Sequence, residues 1–584
     1  MKELRHLNKY FKIYKYNLLL GVIITITAKI FVLFTPRLAG ESITIIADYL
    51  NGKIPENIYY SELTRSLLYL IGAAIIAGIF TFLMRQTIIT VSRHIEFDLK
   101  NEIYNQYQKL SLNFYKKNRT GDLMNRITED VNRVRMYTGP AIMYSLNMIT
   151  LFVVALIYMF NRAPSLAFYT ILPLPILSIT IYILSKLIHE RSTIVQEYLS
   201  KLSASAQEIF SGVSVIKAYG IESQTNVSFE ALSSSSRQKQ IDLNKVQAFF
   251  FPLMILLIGV SNLIVIYVGG KQYMSGEIQN FGTIAEFIIY VNMLTWPVAI
   301  LGWVTSIIQQ AEASQKRINE FLNEDPEIKN FALTETDING SITFNNVFFT
   351  YEDTNIEALK GISFSVSQGE TIAIIGRTGS GKSTILDLIG RLYDIKEGII
   401  KIDNTAINKV HLKNLRESIG YVPQDAFLFS DSIKNNIMFG SVNATDDDVI
   451  QAAKYAVVHD NIKKFVNGYD TVLGERGITL SGGQKQRISI ARAIIKRSEI
   501  LLLDDCLSAV DTETEEKILK NLDKVTQNRT TIIVSHRISS AKNANKIIVL
   551  DEGKIIQTGN HQSLINQDGY YKDLYLKQLA EKEI

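Results

Sequence analysis

Cysteine is almost missing from this chain of 584 residues, in which Cys506 is the only one. One cysteine cannot form an intrachain disulfide, so the soluble part of the chain need not face an oxidising compartment. Excess charge is missing too: the formal net charge of +4 is small for this length and gives no reason to expect a nucleic-acid partner. The sequence instead combines 47% apolar with 20% charged residues, a mixture typical of a membrane part joined to a soluble part.

The N-terminus lacks the features of a cleaved signal peptide. Basic residues precede the first apolar run, as they do in a signal sequence, but that run is too long and has no obvious small-residue cleavage site. We therefore expect an uncleaved first membrane span with a cytoplasmic N-terminus, because positive charge favours the cytoplasmic side. The basic residues are Lys2, Arg5, Lys9, Lys12 and Lys15.

Long apolar runs fill the first half of the chain. A membrane-spanning helix needs about 20 mostly apolar residues, and six stretches qualify, at about 17–40, 65–90, 139–161, 165–188, 247–270 and 281–306. The third and fourth form a hairpin around the turn Asn161–Pro164. Six spans return the chain to the cytoplasm, so we expect a membrane domain over 1–324 and a cytoplasmic domain over 325–584.

Two long connections between the spans, near 91–138 and 189–246, have the apolar spacing of helices. Helices of that length would extend well into the cytoplasm. Their turning points are Phe114–Asp122 and Ser211–Gly220. These segments are either polar loops or short coupling helices that press on the cytoplasmic domain, and neither motif decides between the two by itself.

Lys29 lies in the middle of the first span, where a lysine costs about 2.5–3.5 kcal/mol on insertion scales. We expect it to face protein or water instead of lipid, either lining a substrate pathway or pairing with a carboxylate such as Glu286. Asn292, Trp296 and Trp303 in the last span are further candidates for a cavity lining, although tryptophan is more often an interfacial anchor.

The second half of the chain contains a phosphate-binding loop between a predicted strand, Thr371–Ile375, and a predicted helix. The loop is Gly376-Arg377-Thr378-Gly379-Ser380-Gly381-Lys382-Ser383, followed by Thr384. Its glycines let backbone N–H groups converge on phosphate oxygens, and the N-terminus of the helix adds positive potential. Lys382 is expected to reach the β- and γ-phosphates of ATP, and Ser383 to bind Mg²⁺. The domain is therefore predicted to be an α/β P-loop ATPase.

Two adjacent carboxylates, Asp504 and Asp505, follow the apolar run Leu501–Leu503. A P-loop ATPase carries its magnesium-binding aspartate and its water-activating acid at the end of such a strand. Asp504 fits the first role, and Asp505 occupies the second position. Tyr351 follows the strand-like segment Val347–Thr350 and is placed to stack on adenine, although core packing is the better explanation for an isolated tyrosine.

A second anion-binding element opens another predicted helix. It consists of Leu480, Ser481, Gly482, Gly483 and Gln484. One chain thus has two phosphate cradles but a single P-loop lysine. The economical arrangement is two chains packed head to tail, with each nucleotide held between the P-loop of one chain and the serine-glycine element of the other, so this pattern predicts a dimer.

These motifs occur in the order found in ATP-binding cassette exporters, which the chain resembles over essentially its whole length. The order is Tyr351, the phosphate-binding loop, Gln424, Leu480–Gln484, Asp504–Asp505, Ser508–Asp511 and His536. The resemblance implies an α-helical membrane domain, with six transmembrane helices and long cytoplasmic extensions, fused to an α/β P-loop ATPase domain. It also implies ATP and Mg²⁺ as ligands and a helical subdomain over about 425–495.

The same resemblance implies roles for four further residues. Gln424 is similar to the residue that touches Mg²⁺ and the coupling helices, and His536 to the switch histidine at the γ-phosphate. Asp511 resembles the aspartate at the dimer seam. Glu475 resembles part of the exporter-type loop that contacts the second coupling element.

Asp505 departs from the family pattern, in which this position usually carries the glutamate that polarises the attacking water. Aspartate is one methylene shorter, and general-base catalysis depends on reach before pKa. Cys506 and Leu507, where Ala and Thr are common, are further departures. The pattern resembles the degenerate-site subunit of a heterodimeric exporter, so we expect a second half-transporter as partner, with Glu at the position matching Asp505.

The sequence therefore predicts one subunit of an ATP-driven exporter in the cytoplasmic membrane, which moves an amphipathic or hydrophobic drug, lipid or peptide across the lipid bilayer by alternating access. A homodimeric lipid or drug flippase is one alternative. An ATP-gated channel or a regulator that binds ATP without pumping is another, which Asp505 slightly favours. A soluble ATPase of the DNA-repair type is disfavoured by the six spans.

Overall fold

The computed structural model describes residues 2–332, 335–441, 443–474, 477 and 480–583. The chain divides into two compact units, one made of Met1–Gln108 with Gly121–Glu324 and the other of Lys109–Thr120 with Asp325–Ile584. The units part between 324 and 325, where the expected domains part. The difference is the segment Lys109–Thr120, which groups with the second unit although its sequence neighbours lie in the first.

The first half of the chain is helical, with long helices joined by short ones. They are α1 (Asn8–Ile13), α2 (Lys15–Leu50), α3 (Glu56–Lys109), α4 (Leu112–Lys117), α5 (Thr120–Asn125), α6 (Val131–Met136), α7 (Ile142–Arg162), α8 (Pro164–Ile171), α9 (Pro173–Ser211), α10 (Val213–Tyr219), α11 (Glu222–Met274) and α12 (Gly282–Leu322). Both expected turning points contain a short helix, α4 and α10, so these segments are helices and not loops, and their role as coupling helices stays a prediction.

Five helical stretches of the described residues are long and apolar enough to cross a membrane: α2, α3, Thr120–Arg162, α11 and α12. The expected fourth span, 165–188, falls on α8 and α9. Four side chains in that stretch, at 174, 177, 178 and 185, lie outside the described residues. The count of six spans therefore stays a prediction.

Small residues allow α2 and α12 to approach each other closely. A Cβ atom placed on Gly282 would lie only 1.7 Å from the backbone oxygen of Gly40, and the Gly282 N–H donates to the Thr44 hydroxyl at 3.1 Å. About two helical turns before Gly40, Leu33 of α2 joins a buried cluster with Phe287 and Tyr290 of α12. Close helix contact through glycine is a common way of packing membrane helices.

The second unit is built on two sheets. The strands are β1 (Ile342–Thr350), β2 (Glu357–Val366), β3 (Thr371–Gly376), β4 (Glu397–Ile402), β5 (Thr405–Ala406), β6 (Ile419–Val422), β7 (Ile500–Asp504), β8 (Thr530–Ser535), β9 (Lys546–Asp551) and β10 (Lys554–Gly559). Strand order is β2-β1-β4-β5 in an antiparallel sheet and β10-β9-β3-β8-β7-β6 in the larger one. The larger sheet is parallel except for its edge strand β10.

Helices complete this unit: α13 (Lys382–Ile389), α14 (Leu412–Glu417), α15 (Ile433–Met438), α16 (Asp446–Tyr455), α17 (His459–Lys463), α18 (Gly482–Ile495), α19 (Thr512–Val525), α20 (Ile538–Ala541), α21 (His561–Ile565) and α22 (Tyr570–Glu583). α13 packs in one apolar core with the small sheet and the strands β3, β7, β8 and β9. α15, α16 and α18 share a second core with the other face of β7. The two cores flank the strands that carry the site.

Candidate functional site

Four parallel strands bring the predicted site residues to one edge of the larger sheet. β3, β8, β7 and β6 are neighbours in that order and run in the same direction. β3 ends at Gly376 and β7 at Asp504, while β8 ends just before His536 and β6 ends two residues before Gln424. Because ligands of α/β sheets bind at the carboxyl ends of the strands, these four segments form a single candidate site.

The phosphate-binding loop connects β3 to α13 through a backbone that requires glycine. Gly379 and Gly381 have φ angles of +80° and +97°, which side chains larger than hydrogen rarely permit. A Cβ on Gly381 would also lie 2.4 Å from the backbone oxygen of Ala358. The Ser380 hydroxyl is buried and has no hydrogen-bond partner among the described residues, which fits a group that meets a phosphate.

Lys382 is buried at the start of α13. Its Nζ donates to the backbone oxygens of Gly376 at 2.9 Å and Arg377 at 2.8 Å. Burial lowers the pKa of Lys382 to about 8, and the nearby Asp505 and Asp504 act in the opposite direction. The amino group is therefore held inside the loop, facing two carboxylates.

Ser383 and Asp504 come together, as expected for two magnesium ligands. The Ser383 hydroxyl donates to Asp504 Oδ1 at 3.0 Å, and Asp504 is 3% exposed. The described residues contain no cluster of three or more His, Cys, Asp or Glu side chains that could hold a metal alone. Ser383 and Asp504 offer two side-chain oxygens, and Mg²⁺ usually takes one or two protein oxygens together with substrate phosphates and water.

Asp505 lies beside His536 and Lys382 in a constrained backbone conformation. Its φ of +41° is in the left-handed region, which aspartate tolerates better than most residues. Its backbone N–H donates to the Val534 oxygen at 2.9 Å. Burial raises the pKa of Asp505, and the positive charges of His536, Lys382 and Arg537 lower it. The carboxylate is thus near the switch residue, but its backbone is fixed.

His536 follows β8 and is half-buried. Burial lowers its pKa, and the charge of Lys382 lowers it further, while Asp505 and a hydrogen bond with the Gly376 backbone raise it. The expected partners of the γ-phosphate, Lys382 and His536, are therefore neighbours across β3 and β8. The role of His536 at the γ-phosphate stays a prediction.

A buried ionic group behind the site escaped the sequence analysis. Glu515 of α19 is 1% exposed and accepts hydrogen bonds from Arg537 and from the hydroxyls of Ser539 at 2.6 Å and Ser540 at 2.9 Å. Arg537 also donates to the Ser508 oxygen at 3.1 Å. Arg537 follows His536 directly, so this network ties the segment His536–Ile538 (the switch segment) to the segment Ser508–Asp511. No local pattern signals it.

The serine-glycine element caps α18. Ser481 Oγ accepts from the Gln484 N–H at 3.3 Å, and Gln484 Oε1 accepts from the Ser481 N–H at 3.0 Å. Gly482 and Gly483 form the first turn of α18, and a Cβ on Gly483 would lie 2.7 Å from the Ala509 oxygen. The element is therefore a helix N-terminus packed on the segment that leads to Asp511.

Asp511 and Gln486 hold that segment in place. Asp511 Oδ1 accepts from the Thr514 N–H at 2.9 Å and caps α19, and these hydrogen bonds lower its pKa. Gln486 of α18 donates to the Ser508 hydroxyl and accepts from the Ala509 N–H, both at 3.1 Å. Gln486 was not among the predicted site residues, since its spacing gave no signal.

Tyr351 packs at the base of the phosphate-binding loop. Its hydroxyl lies 3.0 Å from the Thr384 hydroxyl, and its ring meets those of Phe349 and Tyr393 edge to face. The ammonium of Lys116, from α4, lies 4.7 Å from the Tyr351 ring centroid. The tyrosine thus combines core packing with a position next to the loop, and α4 reaches the same ring.

Of the two remaining predicted residues, one is exposed and the other lies outside the described residues. Gln424 is exposed in the segment after β6. Glu475 lies outside the described residues.

The polar candidates of the membrane half occupy different environments. Glu286 is 2% exposed, accepts from the Tyr290 hydroxyl at 3.1 Å and lies 3.6 Å from Arg162 Nε. Among the described residues, Glu286 forms no ion pair with Lys29, and the other role given to Lys29, lining a substrate pathway, stays a prediction. Asn292 is exposed and donates to the Ile288 oxygen at 2.8 Å. Trp303 stacks edge to face on Tyr144, and the Trp296 side chain lies outside the described residues.

Comparison with known families assigns both halves of the chain. A family described as the ABC transporter transmembrane region matches residues 18–298. A second, described as ABC transporter, matches residues 359–508, which includes the phosphate-binding loop and both carboxylates.

Relatives resemble the chain over most of their length. The multidrug resistance-like ATP-binding protein MdlA of Escherichia coli is 36% identical over 87% of this chain and 86% of its own length. A probable multidrug resistance ABC transporter ATP-binding/permease protein of Bacillus subtilis, YheI, is 34% identical over 98% and 97%. An ATP-dependent lipid A-core flippase of Syntrophus aciditrophicus is 35% identical over 85% and 82%.

Proposed function

The chain belongs to the ATP-binding cassette transporters, as a half-transporter whose single ATPase domain is coupled to transport, and from this premise we propose that it exports an amphipathic or hydrophobic solute. The membrane is the cytoplasmic membrane, with the N-terminus and residues 325–584 on the cytoplasmic side. The domains are 1–324, with six spans, and 325–584, with a helical subdomain over about 425–495.

One observation carries this proposal: the phosphate-binding loop, Asp504, Asp505 and His536 converge at one sheet edge in a chain whose other half consists of long apolar helices. In the proposed site, Lys382 and the loop N–H groups bind the phosphates, and Tyr351 stacks on the base. Ser383, Asp504 and Gln424 would hold Mg²⁺, which would neutralise charge on the phosphates. Asp505 and His536 would orient the attacking water and the γ-phosphate.

The transport cycle follows from a dimer with two cradles at each nucleotide. ATP bound at Lys382 of one chain and at the Ser481–Gln484 element of the other stabilises the closed pair of ATPase domains, because it binds that state better than the open one. Short coupling helices transmit closure to the membrane helices, and hydrolysis resets them. We propose that this switching between a closed and an open pair of ATPase domains drives alternating access of the membrane helices.

The partner is proposed to be a second, different half-transporter with Glu at the position matching Asp505. The argument is reach: Asp505 is one methylene shorter than the usual base, and its backbone is tied to Val534. The site on this chain would then hydrolyse slowly, and the partner's site, completed by Ser481–Gln484 of this chain, would work at full rate.

The first experiment identifies the partner. The tagged chain is isolated from its native membrane in mild detergent, and co-purifying proteins are identified by mass spectrometry. A second half-transporter with Glu at the matching position supports the heterodimer, whereas recovery of this chain alone as a dimer contradicts it.

The second experiment tests export itself. The purified complex is sealed into vesicles with the ATPase domains outside, and uptake of a fluorescent amphipathic dye is followed with ATP or without it. Concentration of the dye above its external level supports export. Equilibration without concentration would instead favour an ATP-gated channel, and no movement at all would favour an ATP-binding regulator.

A further inference from the structure

The last helix, α22, lies against the candidate ATP site although no recognised motif includes it. It spans Tyr570–Glu583, about 30 residues beyond His536. Tyr571, near its start, is fully buried in a cluster with residues of β3 and β9. The helix is therefore anchored on the strand that leads into the phosphate-binding loop.

Gln578 of α22 holds the backbone on both sides of Arg537. Its Nε2 donates to the His536 oxygen at 2.8 Å, and its Oε1 accepts from the Ile538 N–H at 2.9 Å. One side-chain amide thus closes a ring over the three residues His536, Arg537 and Ile538. Both hydrogen bonds have ordinary lengths, and they satisfy backbone groups at and just before the start of the short helix α20.

The switch segment is consequently held from two sides. The Arg537 side chain extends to Glu515 and to the Ser508 oxygen, while Gln578 binds the main chain. Removing the Gln578 amide would release one restraint on the backbone that carries the His536 ring, while the hydrogen bond of His536 with the Gly376 backbone would remain.

The same helix touches the phosphate-binding loop. The Arg377 guanidinium lies 5.7 Å from the centroid of the Tyr570 ring. α22 therefore contacts two segments that are expected to meet the phosphates of ATP, the loop at Arg377 and the switch segment at His536. A helix that contacts both segments is suited to fixing their relative position.

We propose that Gln578 is a positioning residue of the ATP site, which sets the switch segment so that His536 meets the γ-phosphate. Gln578 does not touch nucleotide itself. Its loss should therefore weaken the affinity for ATP, which has a γ-phosphate, and leave unchanged the affinity for ADP, which lacks one. The inference rests on the role proposed for His536 and is independent of the exported solute and of the hydrolysis rate at Asp505.

The test compares nucleotide preference in the full transporter, purified with whatever partner it has. An azido-ATP photolabel is bound on ice with Mg²⁺, and its displacement from this chain by ATP and by ADP is measured after the chains are separated on a gel. The variants are Gln578→Ala, Gln578→Glu, which keeps side-chain size but faces the His536 oxygen with a carboxylate, and the exposed neighbour Lys577→Ala as matched control. His536→Ala serves as reference.

Gln578→Ala and Gln578→Glu are expected to lower the preference for ATP over ADP roughly three- to tenfold, the range that a hydrogen bond contributes to an equilibrium, with ADP affinity unchanged. Lys577→Ala should keep the wild-type ratio. An unchanged ratio in both Gln578 variants, or equal weakening of both nucleotides, overturns the proposal. If His536→Ala also leaves the ratio unchanged, the role of His536 fails; if only His536→Ala lowers it, the role of Gln578 fails.

Discussion

Asp505 matters because its surroundings prevent the backbone from compensating for a short side chain. Its N–H is bound to the Val534 oxygen, and its own oxygen accepts from the Ser508 hydroxyl at 2.9 Å. The positive φ leaves little room for adjustment. In the proposed site, the distance between the carboxylate and the attacking water would therefore be set by side-chain length, in which Asp is one methylene shorter than Glu.

Asp505→Glu is expected to raise ATP hydrolysis at this chain's own site at least tenfold, since a positioned general base contributes about 10²–10⁴-fold. The measurement is the ATPase rate of the purified complex in which the partner's matching glutamate has been changed to Gln, so that only this site turns over. Asp505→Asn in the same background is the control and should remain at the basal rate. A rate for Asp505→Glu equal to that of the wild type would show that reach is not limiting.

Asp387 of α13 gives a pH-dependent effect on stability. Burial raises its pKa from 3.8 to about 6, against the charge of Lys116. Because the folded-state pKa lies above the unfolded value, the ionised carboxylate opposes folding above about pH 6, and this cost vanishes as the pH falls toward the unfolded value. Asp387→Asn removes a charge that the fold disfavours.

We expect Asp387→Asn to stabilise the nucleotide-free protein near neutral pH by on the order of 1 kcal/mol, with the gain fading below about pH 5. Thermal unfolding of the solubilised full-length chain, at neutral pH and below about pH 5, measures this gain. The exposed Asp353→Asn is the matched control and should change neither curve. A gain that is the same at both pH values would contradict the assignment to the Asp387 charge.

Among the elements, the crossing of α2 and α12 depends on two glycines whose backbones almost touch. The space for a Cβ on Gly282 is already filled by the Gly40 oxygen. The same glycine donates its N–H to Thr44. A larger residue must push the two helices apart, and every contact along them loosens with it.

Gly282→Ala should lower the thermal stability of the solubilised protein by about 1–3 kcal/mol, the usual cost of overpacking. The loss is measured as the fraction of the protein that still elutes from a sizing column as a monodisperse peak after heating. Gly270→Ala in α11, where a Cβ meets nothing within 4 Å, is the control and should be neutral or slightly stabilising. Equal losses in both variants would mean that the close contact is not responsible.

α4 is a second element whose contacts decide its role. Ser111, just before it, donates to Glu327 Oε2 at 2.7 Å, and Asn113 donates to Glu327 Oε1 at 2.8 Å. Lys116 reaches the Tyr351 ring. The short helix therefore contacts both Glu327, near the start of the ATPase half, and the proposed base-stacking residue Tyr351.

For the whole molecule, the proposed heterodimer would divide each ATP site between two chains, so the motifs of this chain would contribute to two sites of different rate. In the proposed heterodimer, Lys382 would serve the slow site, whereas Ser481–Gln484 would complete the fast site on the partner. Damage to the second should therefore cost the complex more turnover than damage to the first, an asymmetry that a homodimer cannot show.

Ser481→Ala in this chain is expected to remove most ATPase activity of the complex, and Lys382→Ala much less. The steady-state ATPase rate of matched complexes measures both. Since Ser481 also caps α18, the control is Ser432→Ala, which removes the N-cap of α15, where the serine accepts from Asn435 N at 3.0 Å. Similar losses for Ser481→Ala and Lys382→Ala would point to two equivalent sites.

The motifs of the ATP site could be predicted because each is local. A phosphate-binding loop is defined by adjacent residues, and the same is true of Asp504–Asp505 and of Ser481–Gln484. Their chemistry can therefore be predicted from the sequence without knowledge of the fold. Their convergence follows from a general rule, that parallel strands expose their carboxyl ends on one edge. The family and the coupling of its ATPase to transport were accessible at this level.

Only the tertiary structure decided which distant side chains meet. Glu515 with Arg537, Gln578 with the backbone around His536, and Arg162 with Glu286 are joined across 22, 40 and 42, and 124 residues. Such pairs depend on how helices pack, and packing is set by the summed fit of many side chains that no local pattern encodes. The sequence by itself determined the chemistry and its order; the fold decided which neighbours hold that chemistry in position.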